Sequence, residues 1–194
     1  MEYIVKVKQD IRKNWFNNHI AKIEGEEGLQ VIYWGEPGTN MYRTKYVLSG
    51  NNVFISGDIG EAVYSLTCAA TLDNIKDFNL SYFTKKLSAF CEDRWDFDEK
   101  LAKKELKEYW EEYEMSQIED SKEIYDGIIS AIEESRSINE YHSWLMTVYH
   151  DTSIDSDIME YVWDFGRKMP PRLIGYWVGL QMIIEQLEKK DKVN

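Results

Sequence analysis

The stretch Val53-Phe-Ile-Ser-Gly-Asp-Ile-Gly-Glu-Ala-Val-Tyr-Ser-Leu66 decides how the first half of the chain is read. Two apolar runs flank Gly57-Asp58-Ile59-Gly60. Glycines three apart suit a backbone that needs positive φ, and a turn aspartate bonds nearby N–H groups. The stretch therefore predicts two strands and the hairpin between them. A chemical alternative has Asp58 and Glu61 converging as metal ligands or as an acid–base pair. It is not a phosphate loop, because no Gly-Lys-Ser/Thr ending is present and no helix follows.

Working outward, Leu29–Trp34 is rich in β-formers and precedes the breaker Gly35-Glu-Pro-Gly38. Met41–Leu48 alternates, and Ser49-Gly-Asn-Asn52 is the next turn. With Val53–Ser56 and Glu61–Thr67 these segments predict an antiparallel meander. Ahead of it, Ile4, Val7, Ile11, Trp15, Ile20 and Ile23 recur at mostly helical spacing, predicting one amphipathic helix from Tyr3 to about Glu24. From residue 71 the pattern turns helical. Segments are expected over about Ser81–Cys91, after a cap at Asp96 or Asp98, and over about Ser121–Glu134, Ser137–Tyr149 and Ser156–Phe165. Pro170-Pro171 opens a last helix carrying Leu173, Trp177, Leu180, Ile184 and Leu187. The expected fold class is α+β: an N-terminal helix, a small antiparallel meander sheet of three to four strands, then a C-terminal run of five or six helices. Residues 1–91 are expected to form the helix-plus-sheet core. Residues 92–194 are expected to form an acidic helical region on the same core, as one compact unit. Lys189–Asn194 reads as a disordered end.

Charge is the most informative bulk property. The 194 residues carry a formal net charge of −12. Residues 1–91 hold ten acids and ten bases, whereas residues 92–160 hold 21 acids and seven bases. A field of that sign repels phosphates, so direct nucleic-acid binding by the central segment is not expected. It suits a basic protein surface instead, such as one that normally holds nucleic acid. Plain solubility is the simpler alternative. The densest acid run contributes Glu105, Glu108, Glu111, Glu112, Glu119 and Asp120, which are the candidate partner-binding residues. The interspersed Lys100, Lys103, Lys104 and Lys107 favour local i,i+4 pairing.

Other candidate chemistry is weaker. His142 and His150 with Asp151, Asp155 and Asp157 give the only metal-like density, but match neither a calcium loop nor a His-Glu-x-x-His pair. A helix connection capped by Asp or Ser explains that stretch more simply. Cys68 and Cys91 read as free, mostly buried thiols. Trp34 either closes the core or marks a contact loop. No cofactor or metal is expected. No apolar run approaches the roughly 20 residues of a membrane span, and no leader pattern precedes the first helix, so the expected location is cytoplasmic.

The block Trp34…Pro37, Tyr46-Val-Leu, "FISGDIGEAVYSL" and "DFNLSYFTKKL", about residues 30–90, resembles small proteins encoded by phages and prophages. Gly57, Asp58, Gly60, Ala62, Val63 and Tyr64 carry the most specific part of that resemblance. The closing "RLIGYWVGLQMIIEQL" is similar in style. The group has no assigned activity, and the resemblance implies an accessory protein acting inside a bacterial cell. Such accessory proteins include inhibitors of host defence, anti-CRISPR proteins among them. The function expected is inhibition of a host nucleic-acid enzyme through an acidic, nucleic-acid-mimicking helical surface. The alternatives are a metal-assisted enzyme acting on a nucleotide-like ligand and a homo-oligomeric accessory protein; the inhibitor, too, is compatible with a homodimer.

Overall fold

The computed structural model describes residues 2–26, 28–152 and 154–192. The chain divides into two compact units, residues 1–93 with 170–194, and residues 94–169. The α+β class holds, with an N-terminal helix, an antiparallel sheet and several following helices.

The first unit begins with helix α1 (Glu2–Asp10), extended by a single π turn (Ile11–Trp15). Strands β1 (Ile20–Glu26), β2 (Leu29–Gly35), β3 (Thr44–Ser49), β4 (Asn52–Gly57) and β5 (Ala62–Ser65) follow. Short helices α2 (Leu72–Ile75) and α3 (Leu80–Lys85) lead into β6 (Leu87–Phe90). The six strands pair in sequence order, antiparallel throughout. Two expectations are corrected here. The helix expected through Glu24 ends at the π turn, and the one expected through Cys91 ends at Lys85. Ile20 and Ile23 fit a helical template by spacing alone. In the strand they lie on opposite faces, and Ile20 is exposed. The sheet therefore has six strands rather than three or four, and both strands missed are its edges.

One face of the sheet is buried. Ile32 and Trp34, Tyr46 and Leu48, Val53 and Ile55, and Tyr64 alternate inward from β2 to β5. Trp34 thus closes the core and is not a contact loop. Opposite them lies the long helix of the C-terminal segment, which the expected boundary had placed with the acidic helices. This helix (Pro171–Asp191) starts with proline at N1, as its sequence implies. It continues through most of the stretch expected to be disordered, while Val193 and Asn194 lie outside the described residues. Side chains tie it to the main chain elsewhere in the unit. Tyr176 Oη donates to the Ile59 carbonyl at 2.9 Å, Trp177 Nε1 to Phe78 at 2.9 Å and Gln181 Nε2 to Ile75 at 3.2 Å. Gly179 is needed for contact, since a Cβ there would lie 2.2 Å from Tyr46 Oη. Gln186 closes part of the β1 edge, accepting from the Ala21 N–H at 2.9 Å and donating to the His19 carbonyl at 3.1 Å. Such cover blunts a free strand edge.

The second unit is helical. A two-residue strand β7 (Asp96–Phe97) pairs with β8 (Arg167–Lys168) and brings its ends together. Between them run α4 (Glu99–Glu112), α5 (Ser121–Glu134), α6 (Ile138–Asp151) and α7 (Ser156–Val162), so the helix that closes the first unit is α8. The starts follow their caps. Asp98 Oδ1 accepts from the Leu101 N–H at 3.0 Å, and Ser137 Oγ from Glu140 at 3.2 Å. The core comprises Ala102, Leu106, Ile124, Ile128, Ile132, Tyr141, Leu145 and Val162 among its most buried members.

Candidate functional site

The acid belongs to the second unit. Residues 94–169 hold 20 acids and nine bases, a net of −11, whereas the rest of the chain is within one charge of neutral. The candidate residues sit on α4 and the connection to α5, but they are not equivalent. Glu105 is half-buried, and its Oε2 accepts the Gly166 N–H at 2.7 Å. Burial pushes its carboxyl above the usual glutamate range, and the N–H bond only partly opposes this. It is a fixed part of the unit's interior and not a free surface charge.

Glu108, Glu111 and Glu112 are exposed on α4. At 100° per residue, Lys104 lies opposite the buried Ala102 and Leu106, with Lys100, Glu111 and Glu108 within about 40° of it and Lys107 and Glu112 on the two flanks. Glu108 meets Lys104 at 3.6 Å and Glu111 meets Lys107 at 3.7 Å, both pairs in solvent. Exposed pairs of this kind are worth tenths of a kcal/mol and exchange readily for another cation. The outer face of α4 therefore interleaves lysines with glutamates and is not uniformly acidic, as the interspersed lysines of the sequence imply.

The connection after α4 has unusual backbone. Glu114 and Asp120 adopt left-handed φ of 49° and 55°, bracketing a 3-10 turn at Met115–Gln117. Non-glycine residues there cost about 1–3 kcal/mol each and persist only when their surroundings hold them. Glu119 and Asp120 are exposed at the start of α5, where the helix N-terminus favours negative charge. Beside them lies a cleft of about 650 Å³ lined by Trp110, Tyr125, Glu111, Glu114, Lys107 and Lys122 among others. Trp110 and Tyr125 meet edge-on at 5.1 Å, and Trp110 Nε1 donates to Ser121 Oγ at 3.3 Å.

Exposed aromatics accompany the acids. Tyr113 and Tyr161 are each about half exposed, at 51% and 53%. Both contact Tyr109, and the three rings form one cluster with Phe165. Tyr113 continues the helical spacing of the buried Leu106 and of Tyr109, which by pattern alone would place it inside. Its position at the last turn of α4 brings it out, and spacing alone holds no signal for that.

The remaining candidates resolve into structural roles. Asp58 Oδ2 accepts the Tyr42 N–H at 2.7 Å, and the Asp58 N–H donates to the Arg43 carbonyl at 2.8 Å. The carboxylate thereby secures a loop in which Tyr42 has a φ of 54°. Gly57 (φ 144°) admits no side chain, since its Cβ would stand 2.2 Å from the Arg43 carbonyl oxygen. His142 stacks on Trp163 at 3.9 Å and donates from Nε2 to the Trp163 carbonyl at 2.9 Å, with burial lowering its pKa. Asp155 caps α7 through the Asp157 N–H at 2.7 Å. The helix connection explains the His/Asp stretch, of which Ser153 lies outside the described residues. Among the described residues no group of three or more His, Cys, Asp or Glu is placed to hold a metal ion. The cysteines are free, but Cys91 is exposed and Cys68 half-buried, contrary to the expectation of burial. Cys91 directly follows edge strand β6. Among the described residues no helix is long and apolar enough to cross a membrane.

No family model, curated protein or solved structure matches the chain.

Proposed function

We propose that residues 94–169 form an acidic binding unit that occupies a basic, nucleic-acid-handling surface of a host enzyme. In this reading the protein is a non-enzymatic inhibitor of the anti-CRISPR type, phage-encoded and acting in the bacterial cytoplasm. The observation that carries it is charge segregation: one self-contained unit holds −11 of the total −12. Glu108, Glu111, Glu112, Glu119 and Asp120 stand in for phosphates. Tyr113 and Tyr161 supply the rigid aromatic area that anchors interfaces. Complementary charge chiefly accelerates encounter and selects the partner, while the buried rings slow dissociation.

The test is capture of nucleic-acid enzymes from a bacterial lysate at low salt, with a short DNA duplex as competitor. Capture should fall steeply with added salt, and the duplex should displace the enzyme. A variant carrying Lys at Glu108, Glu111, Glu112 and Glu119 should capture none, while its circular dichroism spectrum stays that of the parent. Capture indifferent to both the duplex and the charge reversal would end this reading.

A further inference from the structure

A second surface lies in the other unit, on the outer face of the sheet. Strands β1, β2 and β3 place Lys22, Tyr33 and Lys45 side by side in one cross-strand row. Directly opposed residues on one face have Cβ atoms about 5 Å apart, so the Tyr33 ring stands between two cationic side chains. Tyr33 is 40% exposed, and no ring among the described residues stacks on it. Arg43 joins the same face. A Cβ at Gly35 would lie 3.1 Å from Arg43 Cγ, so the absence of a side chain there lets the arginine stem cross β2. Lys22, Tyr33, Gly35, Arg43 and the loop 36–40 border an open cleft of about 550 Å³. Its one lining carboxylate, Glu36, is engaged by Asn18 Nδ2 at 3.0 Å. Lys22 pairs with Glu24 at 2.7 Å, whereas Arg43 has no ion-pair partner among the described residues.

We propose that this cleft binds a nucleoside phosphate, its base on the face of Tyr33 and its phosphate on Arg43 and Lys22. An open aromatic face accepts any base, because every base has a π-face, and the guanidinium fork matches phosphate oxygens in pairs. The volume lies within the range of small-ligand sites, about 300–1,000 Å³. A single nucleotide is favoured over a long strand, since the cleft is bordered by one open ring and two cationic side chains, too few to track an extended backbone. The site is independent of the acidic unit and of the function proposed for it.

Isothermal titration of the full chain with ADP tests the proposal, with adenosine and inorganic phosphate as the two halves of the ligand. ADP should bind saturably, and each half at least about tenfold more weakly. Tyr33→Ala should weaken ADP about tenfold through lost stacking, and Tyr33→Phe should retain it. Arg43→Gln should also cost about tenfold, with Arg43→Lys between it and the parent, because an ammonium keeps the charge but loses the fork. These are exposed positions, so thermal melts should stay close to the parent's. Three results would each overturn the proposal: no saturable binding of ADP at millimolar concentration, binding unchanged in both Tyr33→Ala and Arg43→Gln, or phosphate alone binding as tightly as ADP.

Discussion

In the sheet unit polar side chains reach back to the main chain, whereas in the helical unit most of the carboxylates face water. Asp58, Tyr176, Trp177, Gln181 and Gln186 all bond backbone groups of loops, of the end of α2 or of the sheet edge. Helices satisfy their own backbone, so the second unit needs polar side chains chiefly at caps, at Asp98, Ser137 and Asp155. Its other acids are thereby free to shape a surface. The difference teaches that acidity and structural need are separable here. A unit with little backbone left to satisfy can carry a net of −11 without using those charges internally. Glu105, which holds the Gly166 N–H, and Glu140, which holds the Arg136 N–H, are exceptions.

Substitutions can break that contrast unit by unit. The largest loss is expected from Leu106→Ala, which empties a fully buried position in the helical core. It should cost about 3–4 kcal/mol in urea unfolding, because packed surroundings collapse only partly around such a cavity. Next comes Gly57→Val in the sheet unit, at about 3 kcal/mol by the same measurement. A side chain there meets both the left-handed backbone and the Arg43 carbonyl. Gln186→Ala should cost about 1–3 kcal/mol by stranding the Ala21 N–H and His19 carbonyl. It should also expose more of the β1 edge, so sizing chromatography at high concentration should show added self-association.

Smaller effects sharpen the comparison within the acidic unit. Asp98 is held below the usual carboxylate range, first by Lys168 and then by the Leu101 N–H. Its contribution is present above the ordinary aspartate pKa and lost as pH falls through the depressed value. Asp98→Ala should therefore cost about 1 kcal/mol at neutral pH and almost nothing in strong acid. Glu105 has the opposite sign. Its raised pKa makes its contribution complete below the ordinary glutamate range, and that contribution fades as pH rises through the raised value. Glu105→Gln should flatten this decline in melts taken from pH 4 to pH 8, while Glu111→Gln should leave the curve within about 0.5 kcal/mol of the parent.

Much of this arrangement was legible in the chain. Glycine and asparagine turns bounded the four central strands, and period-two alternation chose their inward faces. Asp98, Ser137 and Asp155 announced helix starts, and Pro170-Pro171 announced the last one. The edges were not legible. Ile20 with Ile23, and Phe83 with Leu87 and Phe90, recur at spacings that fit a helix. What makes strands of those regions is pairing, β1 with β2 and β6 with β5, and pairing partners are remote information. The candidate site divides similarly. The excess of acid was plain from composition, but spacing did not reveal that Glu105 turns inward or that Tyr113 turns outward.

The sequence by itself determined the α+β class, the central hairpins, the helix caps and the location of the charge, because each is a local pattern of residue types. The tertiary structure decided which unit α8 joins, where the sheet ends, which carboxylates reach solvent, and that Lys22, Tyr33, Gly35 and Arg43 share one face. Those outcomes depend on which distant segments meet, and hydrophobic period carries no record of a partner.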